Sequence, residues 1–312
     1  MASGKSLKIG VVGAGGIGSY YAALASHFGH QVKLLARGAH LDAIRANGLE
    51  FKRPGETFVA RLEATDDGSA LRDSEYVIVS VKSYSLDEVA PTLAQAANAG
   101  ATIIPLLNGV DVPQRLEKLG VPRKAIVGGL IAASIFRTEP GKVERRSPFD
   151  RMVIGELDRS SSDRAKRFVE AFVAAGVEAR VSDDIGLDLW RKFSFIVPMN
   201  VASGLTRGPV GDMLSTERGR ALLSGVVAEI AAVSRVAGTP LNEAEETKIR
   251  TDVLALPHPT TPSFLADLVR GGPTELDLLV GAVSRMGAEH GVPTPIHDFA
   301  FTAFEAATQP KS

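Results

Sequence analysis

Residues 7–18 read LKIGVVGAGGIG: an apolar run, Leu7 to Val12, feeds directly into Gly13-x-Gly15-x-x-Gly18, and a helix-like segment follows. Glycines at this spacing carry meaning only between a strand and a helix, and that is where they stand. Gly13 lets the chain turn tightly off the strand. Gly15 has no Cβ, which leaves a pyrophosphate room to approach the backbone, and Gly18 lets the helix pack close to the sheet. The helix N-terminus adds unpaired N–H groups and a partial positive charge. Gly13, Gly15, Gly16, Ile17 and Gly18 are therefore the expected phosphate-binding residues of a dinucleotide site.

The second strand bears on which dinucleotide. Gln31 to Ala36 reads as a strand that ends at Arg37. An acidic residue about 20 residues beyond the glycines holds the ribose 2′-hydroxyl of NAD, whereas an arginine nearby accommodates the 2′-phosphate of NADP. Asp and Glu are absent from this strand end, so Arg37 points to NADP(H).

Composition narrows the class further. The 312 residues are 45% hydrophobic and 23% charged, with a net charge of −1, values of an ordinary globular enzyme of one large domain or two smaller ones. Nothing in the charge suggests a nucleic-acid or membrane surface. No apolar run approaches the ~20 residues that span a bilayer, and the N-terminus enters the first strand without an apolar signal core. Cysteine is absent, which excludes disulfides, thiolate metal sites and a cysteine nucleophile and fits a cytoplasmic protein. The six histidines form no metal-ligand pattern.

The chain has two textures. Apolar strand candidates at Tyr76–Val81, Ala101–Leu107, Ala125–Ala133 and Met152–Gly155 alternate with helical patterns such as Leu86–Ala97, which argues for a parallel, doubly wound α/β sheet. From about Asp184 helices dominate, at roughly 186–206, 216–237, 242–255, 263–271, 275–290 and 296–307. Thr216 and Thr274 read as N-caps, Asn242 with Glu245 as a capping box, and Gly238 and Gly291 as helix ends. The expected organisation is a Rossmann-like nucleotide-binding domain over 1–183 and an all-helical substrate and dimerisation domain over 184–312. The junction of two such domains is a usual place for a small-molecule site. Long apolar-faced helices at a chain end commonly find a partner, so a homodimer is the candidate assembly, although no residue marks its face.

Four further stretches carry chemistry-bearing residues in order. Val81-Lys82 follows the third strong strand, and Leu107-Asn108-Gly109-Val110 follows the next. Trp190-Arg191-Lys192 opens the helical part with Asn200 two turns on, and Ser263 precedes Glu275 by 12 residues. With the glycine turn, this ordered set resembles the ketopantoate reductases (2-dehydropantoate 2-reductases) over nearly the whole chain. The resemblance implies NADPH-dependent reduction of a 2-oxo acid to a 2-hydroxy acid, with ketopantoate the leading substrate. Such a reduction needs a group that stabilises the developing oxyanion and then protonates it, and a positioned lysine of tuned proton affinity does both. The resemblance assigns that catalytic role to Lys192 and an active-site role to Glu275. It makes Asn108 a contact of both nicotinamide and substrate, Asn200 and Ser263 substrate-binding, and Lys82 cofactor-binding. All but Asn200 have a plainer explanation: a surface lysine, a glutamate favoured in a first helical turn by the dipole, an Asn-Gly turn, a serine N-cap, and a charged strand end.

The match departs at three positions. Where the family pattern places asparagines, this chain has Ile196, Val210 and Val280, and Pro198 is expected to kink or end the helix between Lys192 and Asn200. Each lost amide removes about 1 kcal/mol or more of hydrogen bonding to a hydroxylated acid. A more apolar oxo acid therefore competes as substrate. The rival functions are a 3-hydroxy acid dehydrogenase, which fits the glycine loop and Lys192 but not the Ser263–Glu275 spacing, and a non-catalytic NADP(H) sensor.

Overall fold

In the computed structural model of the chain, which describes residues 6–308, the backbone packs into two compact units. The first comprises residues up to 107 together with 112–185; the second comprises 108–111 and the residues from 186 onward.

The first unit opens with β1 (Lys8–Val12), α1 (Gly16–His27), β2 (Gln31–Leu35) and α2 (Gly38–Asn47). A hairpin of β3 (Leu49–Arg53) and β4 (Glu56–Ala60) precedes β5 (Glu63–Thr65), β6 (Tyr76–Val79), α3 (Leu86–Asn98) and β7 (Thr102–Pro105). Five of these strands form one parallel sheet in the order β5-β2-β1-β6-β7. β6 and the terminal strand β7 are buried at every position, as strands covered on both sides must be. The order reverses between β1 and β6, and the glycine turn leaves β1 at that switch point, where open α/β sheets hold their ligands.

The rest of the unit departs from a single doubly wound sheet. After α4 (Val112–Lys118) come β8 (Gly128–Ala132), β9 (Ile135–Glu139), β10 (Lys142–Arg145), β11 (Arg151–Gly155), α5 (Asp163–Ala174) and β12 (Glu178–Val181). The expected strands at 125–133 and 152–155 exist, but they pair antiparallel in a separate sheet of order β12-β11-β8, joined to the parallel sheet by the bridge Ile103↔Ile126. A further sheet, β4-β3-β10-β9, is made of strands that hydrophobic runs did not reveal. It packs on α1, whose other side meets the parallel sheet. That double cover explains why Gly18 to Ala25 are all buried rather than forming one apolar stripe. Tyr20 stacks on Phe51 of β3 with ring centroids 4.7 Å apart, and Tyr21 meets Phe172 of α5 edge-on. Their hydroxyls donate to the two oxygens of buried Asp150 at 2.8 and 2.7 Å, and Arg145 Nε donates to the Tyr20 hydroxyl at 3.0 Å. Burial and the Asp150 charge push both phenols well above their ordinary range, so they act only as donors.

The second unit is all helix: α6 (Ile185–Thr206), α7 (Val210–Leu214), α8 (Glu217–Val236), α9 (Glu243–Leu254), α10 (Ser263–Arg270), α11 (Leu276–His290) and α12 (Pro295–Thr308). The short α7 was not expected. Thr216 caps α8 through the Gly219 amide, and Asn242 with Glu245 makes both bonds of a capping box on α9. Gly291 ends α11 in the left-handed region. Pro198 does not end the helix, for α6 runs its full 22 residues. Burial of Phe193, Val197, Val201 and Ala202 holds the helix across the one missing amide. No described helix is long and apolar enough to cross a membrane.

Candidate functional site

In the first unit the glycine turn has the geometry that a dinucleotide needs. Gly13 has φ +105°, and a Cβ there would lie 2.6 Å from the Val81 amide nitrogen. Gly18 is pressed against the Gly13 carbonyl, and Ser80 Oγ donates to that same carbonyl at 2.9 Å. The end of β6 is thus stitched to the turn. Gly15 is different: a Cβ built there meets nothing within 4 Å. No side chain caps α1 and no acidic residue stands in its first turn, so no side-chain cap takes up its leading amides. These features fit a bound pyrophosphate. Gly16 and Ile17 form the first turn itself, and Lys82, three residues past β6, occupies the N-cap position of a 3-10 turn (Ser83–Ser85) without a side-chain cap bond.

Arg37 occupies the N-cap position of α2, and its guanidinium pairs with Glu88 of α3 at 2.6 Å. Both side chains are more than half exposed. Such a pair is worth about 0–1 kcal/mol, which leaves Arg37 ready to exchange its partner for an anion.

In the second unit three of the expected residues converge. Lys192, half-buried on α6, donates from Nζ to Asn108 Oδ1 at 2.8 Å. Desolvation pulls the lysine down from an ordinary 10.5 to about 8, and the Glu275 carboxylate opposes that fall by favouring the ammonium. Glu275 is 8% exposed and sits at the N-cap position of α11, one residue before the helical turn in which it was expected. Thr274 is not the N-cap expected of it: it precedes Glu275, its hydroxyl accepts from the Leu276 amide at 3.4 Å, and no side chain caps α11. Burial beside a cation, rather than the helix dipole alone, thus describes Glu275. Trp190 is buried and meets Phe193 edge-on, which anchors this stretch of α6 in the helical core.

Asn108 is held in turn by a feature that sequence reasoning missed. Three residues on, Asp111 accepts from Arg285 of α11 at 2.8 Å, and the same guanidinium holds Asp277 at 2.8 Å. The segment 108–111 is thereby fastened to the helix that begins beside Glu275. Nothing in the sequence marks a pairing across 174 positions.

Other expected residues lie apart from this cluster. Asn200 is buried on α6, two turns beyond Lys192. Ser263 is exposed at the first position of α10, whose N-cap is Pro262, so it does not cap that helix, and no described contact ties it to Lys192. Val210 and Val280 are fully buried in the core, which makes them packing residues rather than gaps in a polar lining. Only Ile196, half-buried one turn from Lys192, stands on the lysine's own helix face.

A parallel nucleotide sheet with an open glycine turn, together with a helical unit that carries an asparagine-held lysine of lowered proton affinity, defines a nucleotide-dependent oxidoreductase. Comparisons agree. Residues 9–159 match the family "Ketopantoate reductase PanE/ApbA" and residues 184–308 match its C-terminal counterpart. A 2-dehydropantoate 2-reductase of Mesorhizobium japonicum is 31% identical over 94% of this chain and 95% of its own. The crystal structure of a PanE/ApbA family ketopantoate reductase from Ralstonia eutropha superposes with a TM-score of 0.87 at 27% identity, covering 97% of this chain and 98% of the other. D-mandelate dehydrogenase with NADH and anilino(oxo)acetate shares the fold, with a TM-score of 0.86 at 22% identity over 97% and 98%. The chain belongs to the ketopantoate reductase family. It is an oxidoreductase acting on CH–OH donors.

Proposed function

We propose that this protein reduces a 2-oxo acid to the 2-hydroxy acid with NADPH, ketopantoate to pantoate being the leading reaction. The observation that carries the reading is the Lys192–Asn108 pair: an ammonium 2.8 Å from its amide acceptor, with its proton affinity lowered to about 8. Bound nicotinamide dinucleotide supplies the hydride. Lys192 holds the proton that the developing alkoxide requires and offers positive charge to that oxygen before transfer. Asn108 fixes the direction of the ammonium, and Glu275 keeps it charged near neutral pH. In the other unit, the α1 amides and the open space at Gly15 receive the pyrophosphate, Lys82 assists there, and Arg37 favours the 2′-phosphate. Asn200 and Ser263 belong to substrate binding on the family's pattern.

Ile196, apolar and one turn from Lys192, favours a second reading in which the substrate is a more apolar 2-oxo acid. The test is NADPH oxidation with ketopantoate, straight-chain, branched and aromatic 2-oxo acids and a 3-oxo acid, with the product identified. Preference for ketopantoate is expected, and preference for another 2-oxo acid would keep the chemistry and replace the substrate. A 3-hydroxy product would move the protein to the 3-hydroxy acid dehydrogenases. Cofactor binding without any turnover would leave a sensor.

A further inference from the structure

A hollow of about 350 Å³ lies at the corner between β2 and α2 of the first unit. Arg37, Ala39 and His40 line one side, and Arg137 and Glu139 of β9 with Pro140 of the β9–β10 turn line the other. His40 is not one of its cations. Its Nδ1 accepts from the Gly141 amide at 2.9 Å, which leaves Nε2–H to donate to Ser19 Oγ at 3.1 Å. Burial and the nearby Arg137 charge lower it to about 4, so it stays neutral. Of the acids, Glu139 is taken up by Lys142 at 3.0 Å and Glu88 by Arg37. Arg137 is exposed and has no ion-pair partner among the described residues. The first turn of α2 holds no acidic residue, and no side chain caps it.

The path of β9 gives this arrangement its meaning. The strand begins against the phosphate-binding turn, where the Ile135 carbonyl would lie 2.6 Å from a Cβ on Gly16. Arg137 follows two residues later on the same face of the strand, about 7 Å further on at ~3.3 Å per residue. β9 thus runs from the pyrophosphate position to the end of β2, where the adenosine ribose of a bound dinucleotide is read. We propose that Arg137, on a strand outside the parallel nucleotide sheet, is the second cation for the 2′-phosphate of NADP(H) and faces Arg37 across this hollow. The inference rests on the proposed use of NADP(H), whose 2′-phosphate otherwise has Arg37 alone as its cation. Two guanidiniums on a single dianionic phosphate form charge-assisted, forked hydrogen bonds that a ribose hydroxyl cannot match.

The test needs no turnover. The wild type, Arg37→Ala, Arg137→Ala and Arg137→Lys are titrated calorimetrically with 2′,5′-ADP and with 5′-AMP, their melting temperatures confirming intact folds. Arg137→Ala should bind 2′,5′-ADP about tenfold more weakly, in line with one lost charged hydrogen bond, while 5′-AMP binding stays unchanged. Arg137→Lys should recover part of the loss. Unchanged 2′,5′-ADP binding in Arg137→Ala, with preference lost in Arg37→Ala, would overturn this inference and leave NADP(H) use standing. Equal losses for both nucleotides would make Arg137 structural and overturn it as well. A wild type that does not distinguish the two nucleotides would overturn the NADP(H) reading itself.

Discussion

The lowered proton affinity of Lys192 has two measurable consequences, one in stability and one in rate. Burial favours the neutral amine, so the ammonium is carried in the fold at a cost: a fall from 10.5 to about 8 corresponds to about 3 kcal/mol. A lysine whose folded value lies below its unfolded one destabilises the fold throughout the pH range below about 8. That cost is relieved as pH rises from about 8 toward 10.5. Between pH 7 and pH 9.5 the wild type should therefore gain about 2 kcal/mol relative to Lys192→Met, which has nothing to titrate there. Trp190, the only tryptophan in the chain and two residues from Lys192, reports unfolding of the second unit by fluorescence in a denaturant series. In the reductive direction kcat/KM should be level below pH 8 and fall about tenfold per unit above it, as the general acid loses its proton. Lys192→Arg, which cannot deprotonate in this range, should be slow and should lack that limb. A wild-type rate level to pH 10, an alkaline limb that survives in Lys192→Arg, or a stability difference independent of pH would refute the reasoning.

Other expectations follow from single contacts. Asn108→Ala deprives the Lys192 ammonium of its acceptor at 2.8 Å; at about 1.5–3 kcal/mol for a hydrogen bond to a charged group, kcat in a steady-state NADPH-oxidation assay should fall roughly 10- to 100-fold. Glu275→Gln removes the charge that sustains the ammonium, so the alkaline limb of the rate profile should move to lower pH. Gly15→Ala should fold and melt like the wild type, because its Cβ meets no protein atom, yet lose dinucleotide affinity. Gly18→Ala should lose stability as well, since its Cβ would strike the Gly13 carbonyl. Asp150→Ala strands two buried tyrosine hydroxyls and unsettles Arg145, and the unfolding free energy of the first unit, read by denaturant titration, should drop by about 3–5 kcal/mol.

How much of this was legible in the sequence depends on whether the signal is local. The glycine turn, the apolar strands β1, β6 and β7, and the capping box at Asn242 and Glu245 are written in neighbouring residues, and the structure repeats them. The β4-β3-β10-β9 sheet was missed because its strands are half-exposed and charged, and β9 is exposed at four of its five positions. A signal was nevertheless present. Pro54-Gly55 joins β3 to β4 and Pro140-Gly141 joins β9 to β10, both glycines have positive φ, and Pro-Gly between alternating stretches marks a hairpin. That omission also hid Arg137. Lys192, Asn108 and Glu275 were named on a resemblance, but the contact between the first two, 84 positions apart, comes from tertiary packing alone. The fastening of Asp111 by Arg285 has no local trace at all. Val210 and Val280 show the opposite limit: an apolar residue at a position read as polar is ambiguous until its burial is known.

The central claim is that Lys192 is the proton donor of an NADPH-dependent 2-oxo acid reductase. Its most direct test is the initial rate of NADPH oxidation with ketopantoate by the wild type and by Lys192→Ala, alongside NADPH affinity measured by fluorescence titration. The account predicts rapid wild-type turnover, a rate reduced by at least about 10²-fold in the variant, and equal NADPH affinity in both. A variant that binds NADPH and reduces ketopantoate at near the wild-type rate would contradict it.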